Sequence, residues 1–155
     1  MRVFIAYGDS ADLASAFRLQ ALAEAKGLTV YLPSAHTRIE TPFVPDPDVD
    51  EALMKSQAVW AIADNGLSDA FLHEIKTGRI FSKHLFVMSS AAFMEKLRGD
   101  FDAKLYLIEP FSQSVTEREI ADFLGLIYKR QLYLGVAACI VLVVAGLFGL
   151  ARIFL

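Results

Sequence analysis

Ala58-Val59-Trp60-Ala61-Ile62-Ala63 runs into Asp64-Asn65-Gly66 and then into Ser68-Asp69-Ala70-Phe71-Leu72-His73-Glu74-Ile75-Lys76-Thr77-Gly78. The first segment has no polar side-chain group except the Trp60 indole N–H. It reads as a strand covered on both faces, as in the middle of a parallel sheet. Asp64-Asn65-Gly66 is its exit turn, and Ser68 is placed to cap a helix. Phe71, Leu72 and Ile75 fall on one helical stripe and should face the core. Glu74 lies beside that stripe. The helix starts above the strand's carboxyl end, the edge where open α/β sheets bind ligands.

The same alternation extends in both directions. Upstream, Arg2 to Tyr7 reads as a strand, Gly8-Asp9-Ser10 as a turn with Asp9 or Ser10 as cap, and the helix that follows should end at Gly27. Leu13, Phe17 and Ala21 mark its expected buried stripe. Leu28 to Leu32 is a second strand. A short helix over roughly 48–56 should turn Val49, Leu53 and Met54 inward. Downstream, His84 to Met88 and Lys104 to Ile108 are strands, separated by a helix from Ser89-Ser90 to about Gly99. Ser114 and Glu117 have the spacing of a capping box for a last helix with Ile120, Phe123, Leu124 and Ile127 on its apolar stripe. Such alternation implies a flavodoxin-like, five-stranded parallel sheet with helices on both faces and strand order 2-1-3-4-5.

Between the second strand and the short helix lies an irregular stretch, 33–47, with prolines at 33, 42, 45 and 47. That density excludes a helix or a central strand. His36 and Arg38 sit in it, and a loop of this length is a candidate for binding or assembly.

Hydropathy divides the chain at its C-terminal end. Leu132 to Ala151 is a run of twenty residues without a charge, and mean hydropathy for the whole chain is +0.42. As a helix this run is roughly 30 Å long, the thickness of a bilayer's hydrocarbon core. It is expected to be a single transmembrane anchor within residues 131–155, after an α/β domain in residues 1–130. Lys129 and Arg130 before the run favour a cytoplasmic domain on the inner membrane. The N-terminal segment lacks the pattern of a signal peptide. Arg152 is the only charge beyond residue 130, so residues 1–130 carry 14 cationic and 18 acidic side chains. That acidic balance argues against nucleic acid as a partner. Cys139 is the only cysteine, so neither an intrachain disulfide nor a thiolate metal cluster is expected.

With that strand order the crevice between the first and third strands is the expected ligand site. It would be lined by Tyr7, Gly8, Asp9, Asp64, Asn65 and Ser68, with Glu74 reaching in from the helix. A tyrosine face, small residues and carboxylates suit a ribose-containing ligand. Neither a Gly-x-Gly-x-x-Gly fingerprint nor a phosphate-binding Gly-x-x-x-x-Gly-Lys loop is present. There is no Gly-x-Ser-x-Gly elbow, and the histidines at 36, 73 and 84 lack metal-ligand spacing. A phospho-accepting receiver would need a lysine where Glu109 precedes Pro110.

Arg2 to Tyr7 with Asp9 or Asp12, Gly27 to Tyr31, and Ala58 to Asp64 with Ser68 and Glu74 together resemble a prokaryotic TIR (Toll/interleukin-1 receptor) domain over residues 1–130. The resemblance implies cleavage of NAD, as substrate and with no cofactor, at the nicotinamide–ribose bond. It places the catalytic role on Glu74 and substrate contacts on Tyr7, Gly8, Asp9, Asp64, Ser68 and Phe71. It also implies an immune or stress effector that works as a homo-oligomer through the 33–47 loop. Two alternatives stand beside it. One is a TIR module that only assembles. The other is a nucleoside 2-deoxyribosyltransferase-like enzyme, whose Asp-x-Gly-Thr-x-x-Glu pattern is not reproduced at 68–74.

Overall fold

The structure is a computed structural model. It describes residues 1–34, 43–81, 84–100, 104–107 and 113–151, with side chains described for all of these except 99–100, 104–107, 113 and 140–151. Five parallel strands form one sheet: β1 (Arg2–Tyr7), β2 (Thr29–Tyr31), β3 (Ala58–Ala63), β4 (His84–Ser89) and β5 (Lys104–Leu107). Their order is β2-β1-β3-β4-β5. β3 lies between β1 and β4, with Trp60 level with Ile5 on one side and Phe86 on the other. Every residue of β3 is buried, as its unbroken apolar run requires.

Alternation along the strands sorts the core onto two faces. Val3, Ile5, Tyr7, Trp60, Ile62, Phe86 and Met88 pack beneath α1 (Leu13–Ala25) and α5 (Gln113–Ala151). Phe4, Ala6, Val59, Ala61 and Val87 pack beneath α2 (Pro47–Lys55), α3 (Asp69–Phe81) and α4 (Ala91–Asp100). The Trp60 indole N–H donates to the Met88 sulfur at 3.4 Å within the first layer.

Three expected stripes are corrected. In α1 the buried residues are Ala16, Leu19 and Ala23, whereas Phe17 is 55% exposed and Ala21 is also exposed. A 3-10 turn at Ser10–Asp12 precedes α1 and sets its phase. Apolar residues lie all around this helix, so two stripes compete in the sequence. In α2, Ala52 is buried with Val49 and Leu53, and Met54 points outward. In α5, Ile120, Ala121 and Leu124 are buried while Phe123 is exposed, its ring edge-on to Phe86 at 5.9 Å.

The last helix begins at Gln113, ahead of the expected cap Ser114, and Glu117 reaches across to another helix. Glu117 is fully buried, and both carboxylate oxygens accept from the Arg18 guanidinium, at 2.7 and 2.8 Å. This two-bonded pair ties α5 to α1.

α5 continues as one helix from the domain into the apolar run. Leu132, Tyr133, Leu134 and Val136 are exposed along it. Among the described residues no helix is long and apolar enough to cross a membrane. The expected span, 132–151, lies on α5, with its side chains described only as far as residue 139.

Candidate functional site

The crevice at the carboxyl ends of β1 and β3 is built from turns that interlock. The Gly8 N–H donates to the Ile62 carbonyl at 2.8 Å, and the Gly8 carbonyl accepts from the Ser68 N–H at 2.9 Å. The loop after β3 therefore folds across the end of β1. A Cβ on Gly8 would stand 2.0 Å from the Gly66 carbonyl oxygen, so this approach requires glycine. Asp9 is extended and caps the 3-10 turn, its carboxylate accepting from the Ala11 N–H at 2.9 Å. Ser68 caps α3, as expected: its Oγ accepts from the Phe71 N–H at 3.2 Å.

The side chain that holds this crevice is Asp12, which is 1% exposed. It accepts from the Asn65 side-chain amide at 2.6 Å and from the backbone N–H groups of Asn65 and Asp64 at 3.2 and 3.3 Å. Burial pushes its pKa up; the Asn65 and Asp64 hydrogen bonds oppose that, and the nearby Asp64 charge adds to it. From the third side, the Ser90 N–H donates to the Ala63 carbonyl and the Ser90 hydroxyl to the Asp64 carbonyl. Gly8, Asp9, Asp64 and Ser68 are thus brought together as expected. They form a closed set of caps and turns around Asp12.

Two expected substrate contacts are corrected. Tyr7 is 1% exposed and belongs to the core under α1 and α5; its hydroxyl donates to the Pro33 carbonyl at 3.3 Å. Phe71 is fully buried under α3 on the opposite face. Neither ring is available to stack on a ligand, because strand and helix periodicity turn both into the core.

Glu74 is 3% exposed. It lies on α3 between Phe71 and Ile75, on the face of the sheet away from Tyr7. Its surroundings are the junction of β2 and α2. The Tyr31 phenol, in register with Phe4 and stacked on it at 5.4 Å, has its pKa raised by burial and then by the charges of Asp46, Asp48 and Glu74. Asp46 caps α2 by accepting from the Asp48 N–H at 2.9 Å. One residue before Glu74, the His73 Nε2 meets Asp50 Oδ1 at 2.8 Å, linking α3 to α2. The Phe43 ring tilts against His73 at 5.5 Å.

A carboxylate, a phenol, an imidazole–carboxylate pair and an aromatic ring therefore flank the two ends of the 35–42 segment. His36 and Arg38, the expected assembly residues, lie outside the described residues. Sequence reasoning missed Tyr31, Asp50 and His73 as a group. The available signal was the register of β2 beside β1, which places Tyr31 on the Phe4 face. Among the described residues no three His, Cys, Asp or Glu side chains are grouped to hold a metal ion.

No protein-family model matches the chain, and no curated protein matches it. The solved structures similar to the chain include two of low identity. One is the crystal structure of CapF with the inhibitor 3-isopropenyl-tropolone, at 15% identity and TM-score 0.45, covering 69% of this chain. This chain spans 29% of that CapF chain. The other is a response regulator receiver domain from Rhodospirillum rubrum, at 13% identity and TM-score 0.48, covering 81% of this chain and 94% of that one.

Proposed function

We propose that this chain is a membrane-anchored TIR-type domain that cleaves NAD or a related nucleotide at its N-glycosidic bond, with Glu74 as the catalytic carboxylate. The observation that carries the reading is the placement of Glu74. It is a nearly buried carboxylate on the helix after β3, beside Tyr31 and next to the loop that follows β2.

The chemistry asks little else of the protein. The bond between ribose C1′ and the nicotinamide nitrogen breaks, and its electron pair leaves with nicotinamide. That group is cationic in NAD and departs neutral, so no general acid is needed. Positive charge develops on the ribose. A carboxylate held out of water stabilises that charge strongly, or bonds to C1′ until water replaces it. The water gives up its proton to solvent as ADP-ribose forms. Substrate would enter from the Tyr31 and Phe43 side of the sheet. In this reading the 132–151 helix anchors the domain on the cytoplasmic side of the inner membrane and brings copies together, with Ala145 and Gly149 as a small-residue pair.

A second reading, a TIR module that only assembles, is favoured by one observation. The β1–β3 crevice is closed by Asp12 and Asn65, and Tyr7 and Phe71 are both in the core. The two readings separate when detergent-solubilised protein is clustered and incubated with NAD. Release of free nicotinamide supports the enzyme, and its absence from clearly oligomeric protein supports the assembly module. Release of a free base from a deoxynucleoside in place of nicotinamide would point to the deoxyribosyltransferase alternative.

A further inference from the structure

The parallel sheet gives the domain two unlike edges. At the carboxyl edge stand Asp9, Asp12, Asp46 and Asp64. At the amino edge, Arg2 opens β1, Lys26 and Lys55 end α1 and α2, and Lys129 and Arg130 lie on α5 where it passes this edge. Arg2, Lys26, Lys55, Lys129 and Arg130 are all exposed. Three contacts fix the place where α5 leaves. A Cβ on Gly27, just after α1, would lie 3.8 Å from the Tyr128 ring, and one on Gly125 would lie 3.4 Å from the Lys26 Cβ. Lys26 also pairs with Asp122. A groove of about 540 Å³ opens at this point, lined by Ala25, Lys26, Asp122, Gly125, Leu126 and Lys129.

Among the described side chains, the acidic groups around the ends of α1 and α2 and the passing α5 are Asp122, Glu51 and Glu24, and Asp100 ends α4 at the same edge. Asp122 and Glu51 are each paired with a lysine, Glu51 with Lys55, and Glu24 accepts from Gln20 one turn above the edge. Arg2, Lys129 and Arg130 add positive charge beyond those pairs.

We propose that this amino edge is a docking face for an anionic lipid surface, with the α1–α5 groove taking lipid phosphate between Lys26 and Lys129. Two independent features point to this partner. The edge is basic on a domain that is acidic as a whole, and the apolar run leaves the domain from this same edge. Basic groups beside a bilayer are attracted by anionic headgroups within a Debye length of the surface. The inference rests on the reading of 132–151 as a membrane anchor. It deepens that reading by giving the domain an orientation: the amino edge lies on the membrane, and the carboxyl edge with its ligand crevice faces away from it.

The test uses the full chain with Cys139→Ser and one new cysteine carrying a fluorophore, either Ala25→Cys at the amino edge or Ser10→Cys at the carboxyl edge. Each is reconstituted into vesicles of phosphatidylcholine alone, or of equal parts phosphatidylcholine and phosphatidylglycerol, containing a headgroup-linked quencher. The expected result is stronger quenching at position 25 on the anionic vesicles, weak and lipid-independent quenching at position 10, and loss of the lipid difference in a Lys26→Glu/Lys55→Glu variant. Equal quenching of position 25 on both vesicles, or stronger quenching at position 10, overturns the docking face. Flotation on neutral vesicles in high salt reads the anchor separately. Protein that does not float there, yet is quenched at position 25 only on anionic vesicles, keeps the docking face and loses the anchor.

Discussion

Tyr7 and Glu74 lie on opposite faces of one sheet. Tyr7 follows Val3 and Ile5 into the layer under α1 and α5, and Glu74 lies on α3, which covers the other face with Phe71 and Ile75. A site that uses Glu74 is therefore built on the β2–α2–α3 side, around Tyr31 and the loop ends, and Tyr7 takes no part in it.

This separation predicts the behaviour of Tyr7→Phe. The substitution keeps the ring and removes the hydroxyl that donates to Pro33. Stability should fall by about 1 kcal/mol, read as a lower melting temperature, with NAD cleavage unchanged once the protein is folded. A large loss of cleavage at unchanged stability would place Tyr7 at the substrate.

Gly8→Ala should be far more damaging than its size suggests. The new methyl would meet the Gly66 carbonyl oxygen at 2.0 Å, with the Ala63 methyl at 3.2 Å, so it has no room. A cost on the order of 3 kcal/mol is expected, measured by urea unfolding. A cost close to zero would mean that the loop after β3 does not lie across β1.

Arg18→Met should show the cost of taking the guanidinium away from a buried carboxylate. Glu117 is fully buried, while the Arg18 side chain is half exposed, so the loss is expected at about 2 kcal/mol, below that for a fully buried pair. The double variant Arg18→Met/Glu117→Leu should recover most of it. If the double variant is as unstable as the single one, the damage comes from lost packing and the ion pair is not its cause.

Asp12 predicts a pH dependence of stability. Burial raises its pKa in the folded chain, so the folded state holds the proton more readily than the unfolded one. Its contribution is then fully present below the unfolded carboxylate value and is lost as pH rises through the folded value. Wild-type stability relative to Asp12→Asn should therefore fall as pH is raised from below the ordinary aspartate value, about 3.9, through the raised folded value. A relative stability that rises over that range would contradict the burial argument.

Much of the fold was legible because strands covered on both faces leave an unmistakable apolar signature. Ala58 to Ala63 gave the middle of the sheet, and alternation with helices gave the strand order. Ser68 was legible as a cap because capping is local. The rest depended on facts with no local trace. α1 carries apolar residues on both Leu13-Phe17-Ala21 and Ala16-Leu19-Ala23, and the preceding 3-10 turn decides between them. Tyr7 ends a strand at the ligand edge, but only the strand's phase says which face receives its ring. Arg18 meets Glu117 across 99 positions, and His73 meets Asp50 across 23, separations that no motif spans. Glu74 stands on the expected helix, while Tyr7 and Phe71 are turned into the core.

The most direct measurement is nicotinamide release from NAD by clustered protein, compared with Glu74→Gln at matched melting temperature. The carboxamide keeps the shape of Glu74 and removes its charge. The account predicts a loss of at least about 100-fold with melting temperature changed little. Equal release by the variant and the wild type, or no release from wild-type protein shown to be oligomeric, would contradict it.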